Sequence, residues 1–120
     1  LTMESMTSVS ASFNITSKFA GHGDSNYVIL PSDIPYINVS AGLTAIRTWQ
    51  LPLANSVAPG TLLTVGDGGG INGANTLIVI AQGADAFNGI GVAGNSITLA
   101  TIYGTVTVRS NGLNTWFRVQ

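Results

Sequence analysis

Glycine and proline cut this chain into short pieces, and the pieces are β-branched. Among 120 residues stand 15 glycines and 4 prolines. Few windows repeat apolar residues at the i, i+3, i+4 and i+7 spacing of an amphipathic helix, and the many Thr, Val and Ile disfavour one further. Short apolar runs bounded by Gly, Pro, Asn and Asp at close spacing are instead the pattern of a sandwich or barrel.

The strands expected are Ser10 to Ile15, Tyr27 to Leu30, Tyr36 to Val39, Leu43 to Leu51, Thr61 to Val65, Thr76 to Ala81, Asp85 to Ile90, Ser96 to Ala100, Gly104 to Arg109 and Thr115 to Val119. Leu43 to Leu51 is the ambiguous one. Leu43, Ile46 and Gln50 fit a helical stripe, Leu43, Ala45, Trp49 and Leu51 fit alternation, and Pro52 stops either; we read a strand. The number of strands suits an all-β, two-sheet jelly-roll sandwich. Turn residues separate them at Pro31-Ser32-Asp33, Ala58-Pro59-Gly60, Gly66 to Gly70 and Ser110-Asn111-Gly112. Gly and Asn tolerate positive φ, Pro presets φ, and Asp bonds its own downstream backbone. Asn111-Gly112 between two β-rich runs is the clearest hairpin signal, with flanking residues that make its loop longer than two.

The length suits a single β domain over residues 1–120. Its first 20 residues read either as a connecting arm or as a first strand, with Gly21-His22-Gly23-Asp24 interrupting before the dense strands begin. A start at Leu1-Thr2-Met3-Glu4, with no initiator Met, reads as a processed product or a piece of something longer.

Charge is sparse. Lys18, Arg47, Arg109, Arg118, Glu4, Asp24, Asp33, Asp67 and Asp85 make up 8% of the chain, where an ordinary domain carries about 25%. Four scattered cations give no footprint for a phosphate backbone, so nucleic acid is not an expected partner. With no cysteine, disulfides and thiolate metal sites are excluded. Membrane insertion is not expected either: the uncharged stretches Thr48 to Gly66 and Ala86 to Val108 are broken by Pro or crowded with Gly, Asn and Thr, whereas a spanning helix needs about 20 predominantly apolar residues.

Catalytic motifs are weak throughout. Gly89-Ile90-Gly91-Val92-Ala93-Gly94 matches a dinucleotide fingerprint, yet a strand pattern follows where a helix is required and no acid occurs after Asp85; it reads as a turn. The loop from Gly66 to Gly73 lacks the Lys-Ser/Thr ending of a phosphate cradle. Asp67, Asn72 and Asp85 fit no calcium-loop spacing and read as turn caps. His22, the one histidine, has Asp24 nearby to orient it, but sits between two glycines in an expected loop. No cofactor, metal site or enzymatic activity is expected. The aromatics Tyr27, Tyr36, Trp49, Tyr103, Trp116, Phe13, Phe19, Phe87 and Phe117 read mostly as core or interface, with one of Trp116 and Phe117 turned outward by alternation.

One run bears on assembly. Leu77, Ile78, Val79 and Ile80 are apolar on both faces of their strand, whereas an antiparallel sandwich strand shows one face to water. We read them as a candidate oligomer interface covered by another copy.

Several segments in order carry a resemblance: Trp49-Gln50-Leu51-Pro52, Leu63 to Gly70, Asn75 to Ile80, Asp85-Ala86-Phe87-Asn88-Gly89, Val106 to Gly112 and Trp116. They resemble the β-rich distal domains of bacteriophage fibres and spikes, most closely the vertex spike head of tailless, membrane-containing phages. There a strand ends at Asp-Gly, an Asn opens an apolar strand, an Asp-x-x-Asn-Gly segment follows, and a Trp strand closes the domain. The resemblance spans Trp49 to Val119. It implies a homotrimeric jelly roll similar to tumour necrosis factor, on the virion surface at a capsid vertex. Its partners would be itself, other vertex proteins through upstream regions, and a host cell-surface receptor. Phe87 stands where an aliphatic is commoner, the N-terminal third has no counterpart, and receptor-binding residues are not carried over. The competing reading is a carbohydrate-binding module or lectin-like domain on the same architecture.

Overall fold

The computed structural model describes residues 19–68 and 75–120. Among them ten strands form: β1 (Phe19–His22), β2 (Tyr27–Val28), β3 (Tyr36–Val39), β4 (Arg47–Gln50), β5 (Leu62–Asp67), β6 (Leu77–Ile80), β7 (Ala86–Asn88), β8 (Ser96–Leu99), β9 (Thr105–Ser110) and β10 (Thr115–Arg118). Helical content among the described residues is two 3-10 turns, Pro31–Asp33 and Ala54–Ser56. The strands make a six-stranded sheet in the order β1-β3-β5-β9-β10-β7 and a four-stranded sheet in the order β2-β4-β6-β8. The all-β sandwich expected from the sequence is present.

Its connections, however, differ from the antiparallel Greek keys of a jelly roll. Five pairings are parallel, joining β1 to β3, β3 to β5, β2 to β4, β4 to β6 and β7 to β10. Three are antiparallel, joining β5 to β9, β9 to β10 and β6 to β8. From β1 to β6 the chain alternates between the sheets and lays each strand beside the one two before it. Parallel neighbours need a long crossover, normally a helix. Here the crossover is a strand of the opposite sheet. Turn spacing along a sequence is compatible with either connectivity, which is why the pairing differs from expectation while the strands do not.

The core lies between the sheets. Ile37, Val39, Leu63, Val65, Val106, Val108, Phe87 and Trp116 come from the larger sheet, and Trp49, Leu77, Val79, Ile97 and Leu99 from the smaller. Each such side chain contributes roughly 1.5–3 kcal/mol when withdrawn from water. Both indoles are buried without orphaning their donors: Trp49 Nε1 donates to the Ser25 carbonyl at 3.0 Å and Trp116 Nε1 to the Pro52 carbonyl at 2.8 Å. No buried side-chain nitrogen or oxygen among the described residues lacks a partner. That matters because an unmade buried bond costs about 1–3 kcal/mol.

Two local expectations need correction. The strand expected over Leu43 to Leu51 is confined to Arg47–Gln50. Leu43 is buried from a loop instead, its carbonyl accepting from Asn75 Nδ2 and the neighbouring Thr44 N–H donating to Asp24. His22, expected in a loop, ends β1, whose residues pair with β3 although the segment contains Gly21 and lacks a β-branched residue. Asn38 Nδ2 donates to the Ala20 carbonyl and helps hold that strand. Ser10 to Ile15 and most of the loop from Gly66 to Gly73 lie outside the described residues.

The turns form as their chemistry dictates. The Asn111 Oδ1 accepts the backbone N–H groups of Leu113, Asn114 and Thr115, closing the β9–β10 hairpin while Gly112 takes φ 76°. Gly89, Gly91 and Gly94 all have positive φ and lead into β8, so the dinucleotide-like spacing is a turn.

Candidate functional site

Alternation gives each sheet one face to the core and one outward, and the corner where β1 meets β2 supplies a third feature. At that corner the His22 ring points inward, as Ala20 does, and closes the rim of the core. It stacks on Tyr27 at a centroid distance of 3.8 Å, and both rings meet Trp49 edge-on at 5.7 and 5.9 Å. His22 Nε2 lies 2.8 Å from Ser25 Oγ. A serine nucleophile needs its base oriented by a third group. Asp24, the acid nearest in sequence, does not reach the imidazole.

Asp24 is held by the other side of the corner. Arg47 Nε donates to its Oδ1 at 2.8 Å, the Thr44 hydroxyl to its Oδ2 at 2.7 Å, and the Thr44 N–H to Oδ1 at 3.2 Å. The Arg47 bond, then the Thr44 hydroxyl, draw its pKa down from 3.8 to about 2. The Tyr27 hydroxyl donates to Asp33 at 2.7 Å, and burial first, then that carboxylate, pushes its pKa up to about 12.

The other described carboxylates also tie loops together. Asp33 accepts from the Leu30 N–H, Asp85 from the Ala54 N–H and Asp67 from the Tyr103 N–H. Tyr103 takes φ 63° in the turn closed by the Gly104 N–H on the Thr101 carbonyl, and its ring is 75% exposed. Asp67 and Asp85, considered together as cation ligands, serve separate backbone donors, and Asn72 lies outside the described residues. Among the described residues no three His, Cys, Asp or Glu side chains gather as a metal site would require.

The outer face of the four-stranded sheet has no charge on its strands. Val28, Gln50, Ile80 and Ser96 form one row by register, and Thr48, Ile78 and Thr98 another. The four candidate interface residues therefore divide. Leu77 and Val79 are wholly buried in the chain's own core, while Ile78 and Ile80 are half-buried and turn outward. Exposed Ile46, Leu30 and Leu53 flank this face. Open concavities follow its β2 edge, one of about 370 Å³ lined by Asn26, Tyr27, Val28, Thr48 and Gln50, the other of about 200 Å³ against Leu30, Pro31 and Leu53.

The outer face of the six-stranded sheet is aromatic and carries a cation. Phe19, 67% exposed on the edge strand, stacks on Tyr36 at 4.6 Å. The Tyr36 hydroxyl overlies Gly66, where any Cβ would collide with it. Thr64 and Thr107 share a hydroxyl bond of 2.9 Å beside that stack. A lower row runs Leu62, Arg109, Phe117, Asn88 across β5, β9, β10 and β7. Trp116 faces the core and Phe117 is 43% exposed, as alternation required. Sequence reasoning named Phe117 but not its neighbours. Alternation in β9 would have turned Arg109 outward; the parallel pairing that brings Asn88 alongside leaves no local signal.

No protein-family model, curated protein or solved structure matches this chain.

Proposed function

We propose that this chain is a non-enzymatic display domain, the head of a phage spike or fibre, which assembles as a homotrimer and presents its larger sheet to a host surface. The observation that carries the reading is the charge-free outer face of the smaller sheet, where Ile78 and Ile80 emerge between Thr48, Gln50, Thr98 and Ser96. Half-buried isoleucines on an uncharged sheet face are the composition of a protein interface core. Stable interfaces bury about 800 Å² per partner. Four short strands provide only part of that, so Val28, Leu30, Ile46 and Leu53 around the face belong to the same surface. The described carboxylates support a non-catalytic role, because each is spent on a turn or an ion pair. Three copies would multiply weak receptor contacts through avidity.

Light scattering after size exclusion, over a wide concentration range, tests the assembly. The expected outcome is a trimer that Ile78→Lys converts to a folded monomer. A wild-type monomer at every concentration would remove the assembly role of this face. Val79 is the wrong place for such a charge, since it is buried and a lysine there would unfold the chain.

A further inference from the structure

We propose that Arg109, Phe117 and Asn88 form a binding site for an acidic saccharide, with the sugar carboxylate on Arg109 and the ring on Phe117. The inference rests on the display role above and supplies it with a ligand class. Register sets the three residues in one row: Phe117 is opposite Arg109 on the antiparallel side and opposite Asn88 on the parallel side. Directly opposed side chains have Cβ atoms about 5 Å apart, close enough for one small ring to meet all three. Behind the row lie Trp116 and Phe87, both buried, so the strands that present it are rigidly backed.

The polar groups of the row are uncommitted. Among the described residues neither the Arg109 guanidinium nor the Asn88 amide has a hydrogen-bond partner, and the ion pair found is Arg47 with Asp24. A guanidinium presents a planar fork that matches a carboxylate in two parallel bonds. The exposed ring of Phe117 offers an apolar face for the C–H side of a sugar. Asn88 can both donate to and accept from ring hydroxyls. Leu62, on the far side of Arg109, extends the apolar floor.

The backbone argues for a saccharide over an acidic peptide. Peptides dock on sheets by adding a strand to an open edge. Strands β9 and β10, which carry Arg109 and Phe117, are interior with neighbours on both sides, so the two residues assigned to the carboxylate and the ring offer side chains alone, and the open edge lies one strand away at β7.

Calorimetric titration of the whole chain with trigalacturonic acid, sialyllactose and lactose tests the site. At least one acidic sugar should bind, more weakly as salt rises, and lactose should bind less well than either. Arg109→Gln should weaken the acidic sugar by about tenfold or more, because the neutral amide cannot replace the charged two-bond fork. Phe117→Ala should weaken it too, with the circular dichroism spectrum unchanged in both variants. The two acidic sugars separate a uronate from a sialate as the carboxylate's source. Absence of binding, equal binding of lactose, indifference to Arg109→Gln, or tighter binding of tetraglutamate would each overturn the proposal. Solution mass measured on the same sample keeps the readings apart: a trimer that binds no acidic sugar sinks this site alone, and a monomer that binds sinks the assembly alone.

Discussion

Strands β1 to β6 and the hairpin of β9 and β10 are held by different means. In the first group the neighbours are parallel and far apart in sequence: Phe19 pairs with Tyr36, Tyr36 with Thr64, and Trp49 with Val79. Side chains bridge its windings, with Asn26 Oδ1 accepting from the Thr48 N–H, Asp24 from Thr44 and Arg47, and Asn75 donating to Leu43. In the second group β9 and β10 meet through one four-residue loop that Asn111 closes almost alone. The contrast teaches that local turn chemistry suffices for an antiparallel hairpin, whereas the parallel winding is tied by polar bonds between residues 18 or more apart. Loop closure opposes such long-range pairing, because its entropy is lost before the pairing is gained.

The sharpest way to break the contrast is to ask whether the two groups share one core. Trp49→Ala in the first and Trp116→Ala in the second should each cost about 3–5 kcal/mol, since both indoles are fully buried. Each should lower a single denaturant transition seen alike by far-ultraviolet dichroism and by the fluorescence of the remaining tryptophan. Two separated transitions would show that the groups unfold independently.

A smaller effect probes the hairpin. Asn111→Ala removes the acceptor of three backbone N–H groups and should cost about 1–2 kcal/mol, as losing a side-chain cap does. An unchanged denaturation midpoint would mean that the β9–β10 register stands without its turn.

The smallest effect concerns the polar tie at Asp24. Its folded pKa of about 2 lies below the ordinary 3.8. The unfolded chain therefore takes up its proton first as pH falls. The stability Asp24 contributes is complete above about pH 4 and is lost as pH drops toward 2. The urea midpoint of the wild type should fall further between pH 5 and pH 2 than that of Asp24→Asn. Parallel curves for the two would deny the Arg47–Asp24 pair a role in holding the winding.

The two outward faces follow from the same alternation, but their legibility differed. That β6 is apolar on both sides was plain from Leu77 to Ile80, and the division into buried Leu77 and Val79 and outward Ile78 and Ile80 needed only knowledge of which face met the core. Arg109 and Phe117 are near in sequence and joined by a recognisable hairpin. Asn88 was not recognisable as their neighbour, because the parallel pairing of β7 with β10 joins segments separated by 29 positions in the register Phe117 to Asn88. His22 was misplaced for a related reason. A strand with glycine at Gly21 exists because β3 offers it a partner, and propensity along the chain does not register that offer.

By itself the sequence determined that the chain is all-β, where most strands lie, that adjacent residues of a strand turn to opposite faces, and that a hairpin turns at Asn111-Gly112. These are consequences of side-chain period and turn chemistry, which act over a few residues. Tertiary structure alone decided that the windings run parallel, that Asp24 reaches Arg47 and leaves His22 to the rings of Tyr27 and Trp49, and that Arg109, Phe117 and Asn88 share a row. Those outcomes depend on burying apolar faces of distant segments against one another, a non-directional drive that leaves no mark on any one stretch of chain.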